Sequence, residues 1–388
     1  MVLCTTDGNT GGGGSGGGSG SGGSGGSSGG NNSSTVTNPD GSTTTTVTRP
    51  NGSTTETTKY PDGSIVEVDT AKNGTVTTTT TDADGNKNQT VVNPDGSGKT
   101  TVTQTDGTTS ITTTSPSGQV SAQVSLPQSV VDNAQKPGAA VSLPVPEMPV
   151  SSDRATAPTI QVDTPSSAAV KVTIPVKQVT PGTVAILVKA DGTEEILKTS
   201  LVTADGVTVR LPGGSTVKLV DNYKPFRDVP GTRWSANAVA FVSSRAIFEG
   251  TSAVTFSPGA SMTRAMIVTA LARFDGVDTA SGSTWYEKGA QWAVANGISD
   301  GTNLDRTLTR EQLVSMLYRY AGTPATESDL SGFADSSTLS PYAEKAMSWA
   351  VETGLISGVG SSTLAPKKQA TREQVAAVLA RFINTQNT

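Results

Sequence analysis

The chain has 388 residues, 34% hydrophobic and 4% aromatic, with 43 glycines and a net charge of −5. It contains no histidine, which excludes the commonest general base, the usual catalytic triad and most catalytic zinc sites. A single cysteine, Cys4, allows neither an intramolecular disulfide nor a cysteine-rich metal cluster, and no run of about 18 apolar residues is present to span a membrane.

The length fits two to three domains. The negative charge gathers in residues 35–125, which hold five Lys/Arg against nine Asp/Glu, whereas residues 226–388 carry 14 of each sign. No basic field is available to attract nucleic acid.

Met1-Val2-Leu3-Cys4 lacks the charged and apolar regions of a signal peptide, so the N-terminus is expected to be truncated or miscalled. Residues 11–30 contain only Gly and Ser, and residues 1–34 read as a flexible tether. Gly13-Gly14-Ser15-Gly16-Gly17 matches a hydrolase nucleophile pattern, but no strand precedes it and no helix comes after it.

From 35 to 125 glycines recur every 11 residues, at 41, 52, 63, 74, 85, 96, 107 and 118. Asn38-Pro39-Asp40-Gly41 is turn chemistry, and the Thr and Val after it favour strands. This spacing predicts a meander or shallow solenoid of about eight strands. Its inward positions are mostly threonine, so ordered sheet and disordered stalk both remain open. Asp82, Asp84, Asn86 and Asn88 look like half a calcium loop without its distal Glu, and read as one more turn.

Residues 126–154, rich in Pro and Val, read as a linker or as the first strand of the next module. Residues 155–222 alternate short apolar runs with turns at Asp191-Gly192, Asp205-Gly206 and Gly213-Gly214, which predicts a small all-β sandwich.

The last third repeats three times, over about 226–275, 276–322 and 330–384. Thr263-Arg264 leads to Arg273-Phe274, Thr309-Arg310 to Arg319-Tyr320, and Thr371-Arg372 to Arg381-Phe382. An aromatic stands 16 residues before a glycine in each unit: Trp234 and Gly250, Trp285 and Gly301, Tyr342 and Gly358. Such self-similarity marks units that bury a core against their own copies. Each unit reads as helix, loop, helix. Ser340 and Pro341 open the first helix of unit three, and Gly297 and Gly354 close theirs. Unit one has Ala246 there, which predicts a different helix end. Thr309 with Gln312 and Thr371 with Gln374 predict capping boxes, half of which Met266 removes in unit one.

These residues resemble three S-layer homology motifs, a bacterial module that anchors proteins to the cell wall. Unit one supplies Phe226-Arg227-Asp228-Val229, Phe256-Ser257-Pro258 and Thr263-Arg264-Ala265; unit three supplies Phe333-Ala334-Asp335, Leu364-Ala365-Pro366 and Thr371-Arg372. The resemblance implies a pseudo-threefold helix bundle with three grooves that bind secondary cell wall polymer, in many members through a pyruvylated amino sugar, with peptidoglycan as a further partner. The polymer-binding residues it implies are Arg264, Arg310 and Arg372, with Trp234, Trp285, Tyr342, Gly250, Gly301, Gly358, Asp228 and Asp335. A first-turn arginine beside free backbone N–H groups suits a small anion. An isolated one is ordinarily a solvated surface charge. The family's Glu is replaced by Met266, Gln312 and Gln374. Unit two lacks both phenylalanine motifs and runs eight residues from Gly301 to Thr309 against 13 elsewhere, which ranks Arg264 and Arg372 ahead of Arg310. Arg273, Arg319 and Arg381 read as ties between units, and the three aromatics stand between groove wall and core.

The expected architecture is multidomain: a Thr-rich β-repeat stalk, a small all-β module and a mainly α-helical anchor. The expected role is non-covalent attachment of a secreted protein to the bacterial cell wall, without catalysis, cofactor or metal. Its rivals are an adhesin whose repeats bind host ligands, and an enzyme working through a carboxylate pair.

Overall fold

The computed structural model describes residues 30–360 and 362–385. Cys4 and the Gly/Ser segment through residue 29 lie outside the described residues. The repeats form an ordered sheet. Nine strands of six residues, β1 (Asn32–Thr37), β2 (Thr43–Thr48), β3 (Thr54–Lys59), β4 (Ile65–Thr70), β5 (Val76–Thr81), β6 (Lys87–Val92), β7 (Gly98–Thr103), β8 (Thr109–Thr114) and β9 (Val120–Ser125), pair as one antiparallel meander. The first turn shows why. Asn38 N–H donates to Ser42 O at 2.8 Å and Gly41 N–H to Asn38 O at 3.0 Å, with Gly41 at φ +82°. This is a three-residue hairpin loop with a glycine bulge. The Asp40 carboxylate fixes it by accepting from Ser42 N (3.0 Å) and Oγ (2.7 Å). Most strand residues from β2 to β7 are half-buried on both faces, as expected of a single layer of threonine.

The sheet does not stop at residue 125. β9 pairs in parallel with β11 (Thr159–Asp163), which leads on to β17 (Ser215–Asp221), β13 (Thr183–Val188) and β14 (Glu194–Ile196). A second sheet has the order β10 (Val141–Ser142), β12 (Val170–Ile174), β16 (Gly206–Leu211), β15 (Leu201–Thr203). The two share one core that includes Val124, Ile160, Val172, Leu211 and Leu219. Two packed sheets are present, as a sandwich requires, but the repeat sheet supplies one of the layers. Val120, Ala122 and Val124 are apolar where their cross-strand neighbours Thr114, Thr112 and Ser110 are polar, and Ala122 and Val124 are buried in the shared core. Residues 126–154 are therefore no bare linker: they carry α1 (Gln128–Ala134) and β10, and bury Leu126, Val131, Leu143 and Met148.

The three C-terminal units place two main helices each: α2 (Ala236–Ser244) and α3 (Arg264–Phe274), α4 (Glu287–Ala295) and α5 (Arg310–Tyr320), α6 (Glu344–Glu352) and α7 (Arg372–Thr385). α3 packs on α4, α5 on α6, and α7 on α2, so the last unit meets the first. Three backbone bonds close the same circle: Met262 N–H to Ala370 O (2.9 Å), Ala370 N–H to Leu308 O (2.9 Å), and Leu308 N–H to Met262 O (2.7 Å). The core inside includes Phe256, Leu271, Leu317, Leu379 and Phe382.

Two local expectations are corrected. Ala246 takes φ +53°, the left-handed conformation that Gly297 (+66°) and Gly354 (+71°) take, so all three helix ends match and alanine bears the strain. Ser340 stands at the N-cap position with Pro341 next, but the turn it opens, Pro341–Ala343, is 3₁₀, and its hydroxyl makes no cap bond and donates to Glu311 at 3.0 Å instead. The capping boxes stand at Thr309–Gln312 and Thr371–Gln374, and only the Thr263 half is present in unit one.

The fully buried Arg245 joins the helical part to the sandwich. It donates to the carbonyls of Pro181, Thr183 and Ser200 and lies 3.7 Å from the Phe241 ring centre. Desolvation pulls its pKa down to about 9.

Candidate functional site

The repeated Thr-Arg pairs predict free amides at three helix N-termini. The structure corrects this. Arg264 N–H and Ala265 N–H donate to Arg306 O and Leu304 O of the next unit. Arg310 and Glu311 donate likewise to Lys368 O and Pro366 O, and Arg372 and Glu373 to Ala260 O and Pro258 O. The third amide of each helix bonds its own Thr263, Thr309 or Thr371 hydroxyl. Closing the circle consumes the donors that an anion would need.

The arginine side chains cross the same joints. Arg264 Nε donates to Thr302 O (3.1 Å), Arg310 Nε to Leu364 O (2.9 Å) and Arg372 Nε to Phe256 O (2.7 Å). Each acceptor precedes a residue at positive φ: Asn303, Ala365 and Ser257. Unit two thus keeps the loop conformation without its Phe-x-Pro signature. Asp228 and Asp335 serve these loops as well. Asp228 accepts from Phe256 N and Ser257 N, and Asp335 from Leu364 N and Ala365 N, all between 2.6 and 2.9 Å. Desolvation would raise the Asp228 pKa, but those amides outweigh it and hold the value below the usual range. Their lone pairs are spent on backbone. Gly250 is also structural, since a Cβ there would come within 2.6 Å of the Phe226 ring.

Three grooves remain, each built from more than one unit, and their charges differ. In the first, a cavity of about 450 Å³, Met266, Arg273, Trp285 and Arg372 converge on Gly250. Arg372 is spent there. It is 3% exposed, donates also to Glu249 O, and stacks 4.3 Å from the Phe248 centroid. Burial pulls its pKa to about 10. Arg273 pairs with the Glu249 carboxylate at 3.1 Å. In the second, wider groove of about 660 Å³, Arg264 pairs with Asp300 at 2.7 Å. Tyr342 is not in its lining; its hydroxyl donates to Glu311 at 3.1 Å.

The third groove, about 190 Å³, brings together Trp234, Arg310, Gly358, Gln374 and Arg381. Ser357 stands where the other two have Glu249 and Asp300, so no carboxylate is among the residues lining it. Arg381 donates to Leu355 O at 3.1 Å. Arg310 is 6% exposed, and its Nη atoms have no hydrogen-bond partner among the described residues. Burial lowers its pKa, and the charge of Asp335 opposes that fall. Trp234 is 63% exposed, an aromatic face that forms groove wall rather than core; Trp285 (52%) and Tyr342 (53%) are likewise exposed. The arginine that the sequence ranks last is the one whose Nη atoms are left without a partner among the described residues.

Sequence reading misses two buried carboxylates, Glu373 and Glu311, that bond beside or to the exposed aromatics Trp234 and Tyr342. Glu373 accepts from Arg233 (2.8 and 3.0 Å) and Ser235 (2.7 Å), which flank Trp234. Glu311 accepts from Ser340, Tyr342 and Lys367. The available signal is that both stand where unit one has Ala265.

The family model for the S-layer homology domain matches residues 225–265 and 332–376. Among curated proteins, an endoglucanase of Bacillus sp. (strain KSM-635) is 32% identical over 45% of this chain and 20% of its own length. An S-layer protein of Bacillus thuringiensis subsp. finitimus is 25% identical, and the S-layer protein sap of Bacillus anthracis 26%, each over 46% of this chain and 24% of the relative. The chain thus spans at most about a quarter of these relatives. An undecaheme cytochrome from the S-layer of Carboxydothermus ferrireducens, 19% identical over 42% of this chain and 23% of its own, gives a TM-score of 0.24, too low to bear on the fold. Two S-layer homology motifs and S-layer relatives support anchoring at the cell surface.

Proposed function

We propose that residues 223–388 are a pseudo-threefold anchor that holds this chain outside the cell by gripping secondary cell wall polymer, and that the Arg310 groove is its working site. The observation that carries this is the Arg310 guanidinium, its Nη atoms without a hydrogen-bond partner among the described residues, in one groove with the exposed Trp234. A planar donor pair suits a carboxylate, such as the pyruvyl group of an acidic sugar, and an aromatic face suits a sugar ring. The other two grooves each hold a carboxylate that already engages a groove arginine, so they receive neutral parts of the polymer or none.

On this reading the sheet of residues 35–125 is a stalk, and residues 155–222 a base that the Arg245 clamp fixes to the anchor. No catalytic step is assigned. The kinship with the endoglucanase covers 20% of that enzyme and fits a shared anchor.

Sedimentation of the full chain with purified wall sacculi tests this. Binding should vanish when acid extraction removes the secondary polymer. Equal binding to stripped sacculi would make peptidoglycan the ligand and refute the polymer reading.

A further inference from the structure

The thirteen-stranded sheet has two unlike edges. At one end β14 is three residues long and charged, with Glu194 paired to Lys218 (2.6 Å) and Arg154 (3.5 Å) and Glu195 to Lys189 (2.9 Å). Short, charged strands are how proteins blunt an edge against further pairing. In the second sheet the edge strands β10 and β15 have two and three residues. At the other end stands β1, six residues long and exposed throughout. Its sequence, Asn32-Ser33-Ser34-Thr35-Val36-Thr37, has no charge, no proline and no glycine. Among the described residues, none of the usual protections covers it.

The first hairpin decides which groups β1 offers. Asn38 bonds inward to Ser42, and antiparallel partners alternate between bonded and non-bonded pairs. Val36 therefore bonds inward with Thr44, and Ser34 with Thr46. Ser33, Thr35 and Thr37 turn their N–H and C=O groups outward. We propose that β1 docks the β1 strand of a second copy of this chain, antiparallel, with Thr35 opposite Thr35.

A two-fold axis normal to the sheet at Thr35 sets Ser33 against Thr37 of the other copy, and all three outward residues of each strand then give and receive a main-chain bond. The side chains agree. Thr35 faces Thr35, Ser33 faces Thr37 and Val36 faces Ser34, with no like-charge pair. Hydroxyl pairs of this kind already line the sheet: Thr35 with Thr45 and Thr44 with Thr58, both at 2.9 Å. Charges sit in β3, β4, β6 and β7 (Glu56, Lys59, Glu67, Asp69, Lys87 and Lys99), whereas β2, β5, β8 and β9 are uncharged like β1. One strand edge buries well under the roughly 1,200 Å² of a stable interface. The dimer is therefore weak and forms where chains are crowded, joining two stalks end to end.

Analytical ultracentrifugation of the full chain over rising concentration tests this. Reversible dimers are expected. Thr35→Pro removes only an outward donor, which an edge strand tolerates, and should abolish them. Thr35→Lys keeps the donor but sets two ammonium groups face to face; dimers should be lost at low salt and partly return at high salt. On a Cys4→Ser background, a short bismaleimide should join Thr35→Cys chains but not Asn51→Cys chains. Monomers at every concentration, or dimers that both Thr35 variants leave intact, would overturn the proposal.

Discussion

Two regions of this molecule are built from repeats, and they solve the burial problem in opposite ways. From β1 to β8 each strand pairs only with its sequence neighbours, every hairpin has the same register, and among the described residues the series begins in an open edge. In the helical part the third unit returns to the first: Arg372 reaches Glu249 across 123 residues. The open series is additive, because each strand contributes through its nearest neighbours alone. The closed one is cooperative, because removing any unit leaves two faces exposed. Closure also makes the candidate site, since each groove needs side chains from different units.

The largest effect should therefore come from a core residue of the closed part. Phe382 is fully buried between Tyr320 and Trp349, with ring centroids 5.7 and 6.2 Å away. Phe382→Ala should cost about 3–5 kcal/mol and lower the melting point of the helical part, read by calorimetry. Next is the carboxylate clamp. The bond to Arg233 leads the lowering of the Glu373 pKa, desolvation opposing it. A depressed folded pKa contributes stability above the unfolded value and loses it as pH falls through the folded one. Between about pH 5 and pH 3 the helical part should lose stability more steeply than a Glu373→Gln variant does. Parallel melting curves would show that the clamp carries nothing.

A smaller gain is expected from Ala246→Gly. It relieves a left-handed alanine and should stabilise the chain by roughly 0.5–1 kcal/mol, measured by denaturant unfolding. Smallest is Thr57→Ala in the middle of the open sheet, within about 0.5 kcal/mol. A loss as large as that of Phe382→Ala would erase the contrast between the two regions.

Much of the fold is legible because both repeats write their geometry locally. Pro-Asp-Gly states a turn, and a Thr-Arg pair with Gln three residues past the Thr states a helix start. The rest depends on partners far along the chain. Nothing local says that Arg310 N–H finds Lys368 O, so from sequence the helix termini look open to an anion. Nor does any motif say that Ser357 replaces an acid, because its meaning emerges only when Glu249 and Asp300 are seen in the corresponding grooves. The repeat picks out the three arginines but cannot order them, because the deciding carboxylates sit outside the motifs. The continuity of β9 into the sandwich is equally hidden, since its partner β11 lies beyond the intervening helix α1.

The most direct test is titration calorimetry of purified wall polymer against the full chain and three variants. Arg310→Ala and Trp234→Ala should each weaken binding by about 10- to 100-fold, as expected for losing a charge-assisted bond or a stacking face. Arg264→Ala, whose cation is already matched by Asp300, should change affinity by no more than about two-fold. An Arg264→Ala loss equal to that of Arg310→Ala, or full affinity without Arg310, would contradict the assignment of the Arg310 groove as the working site.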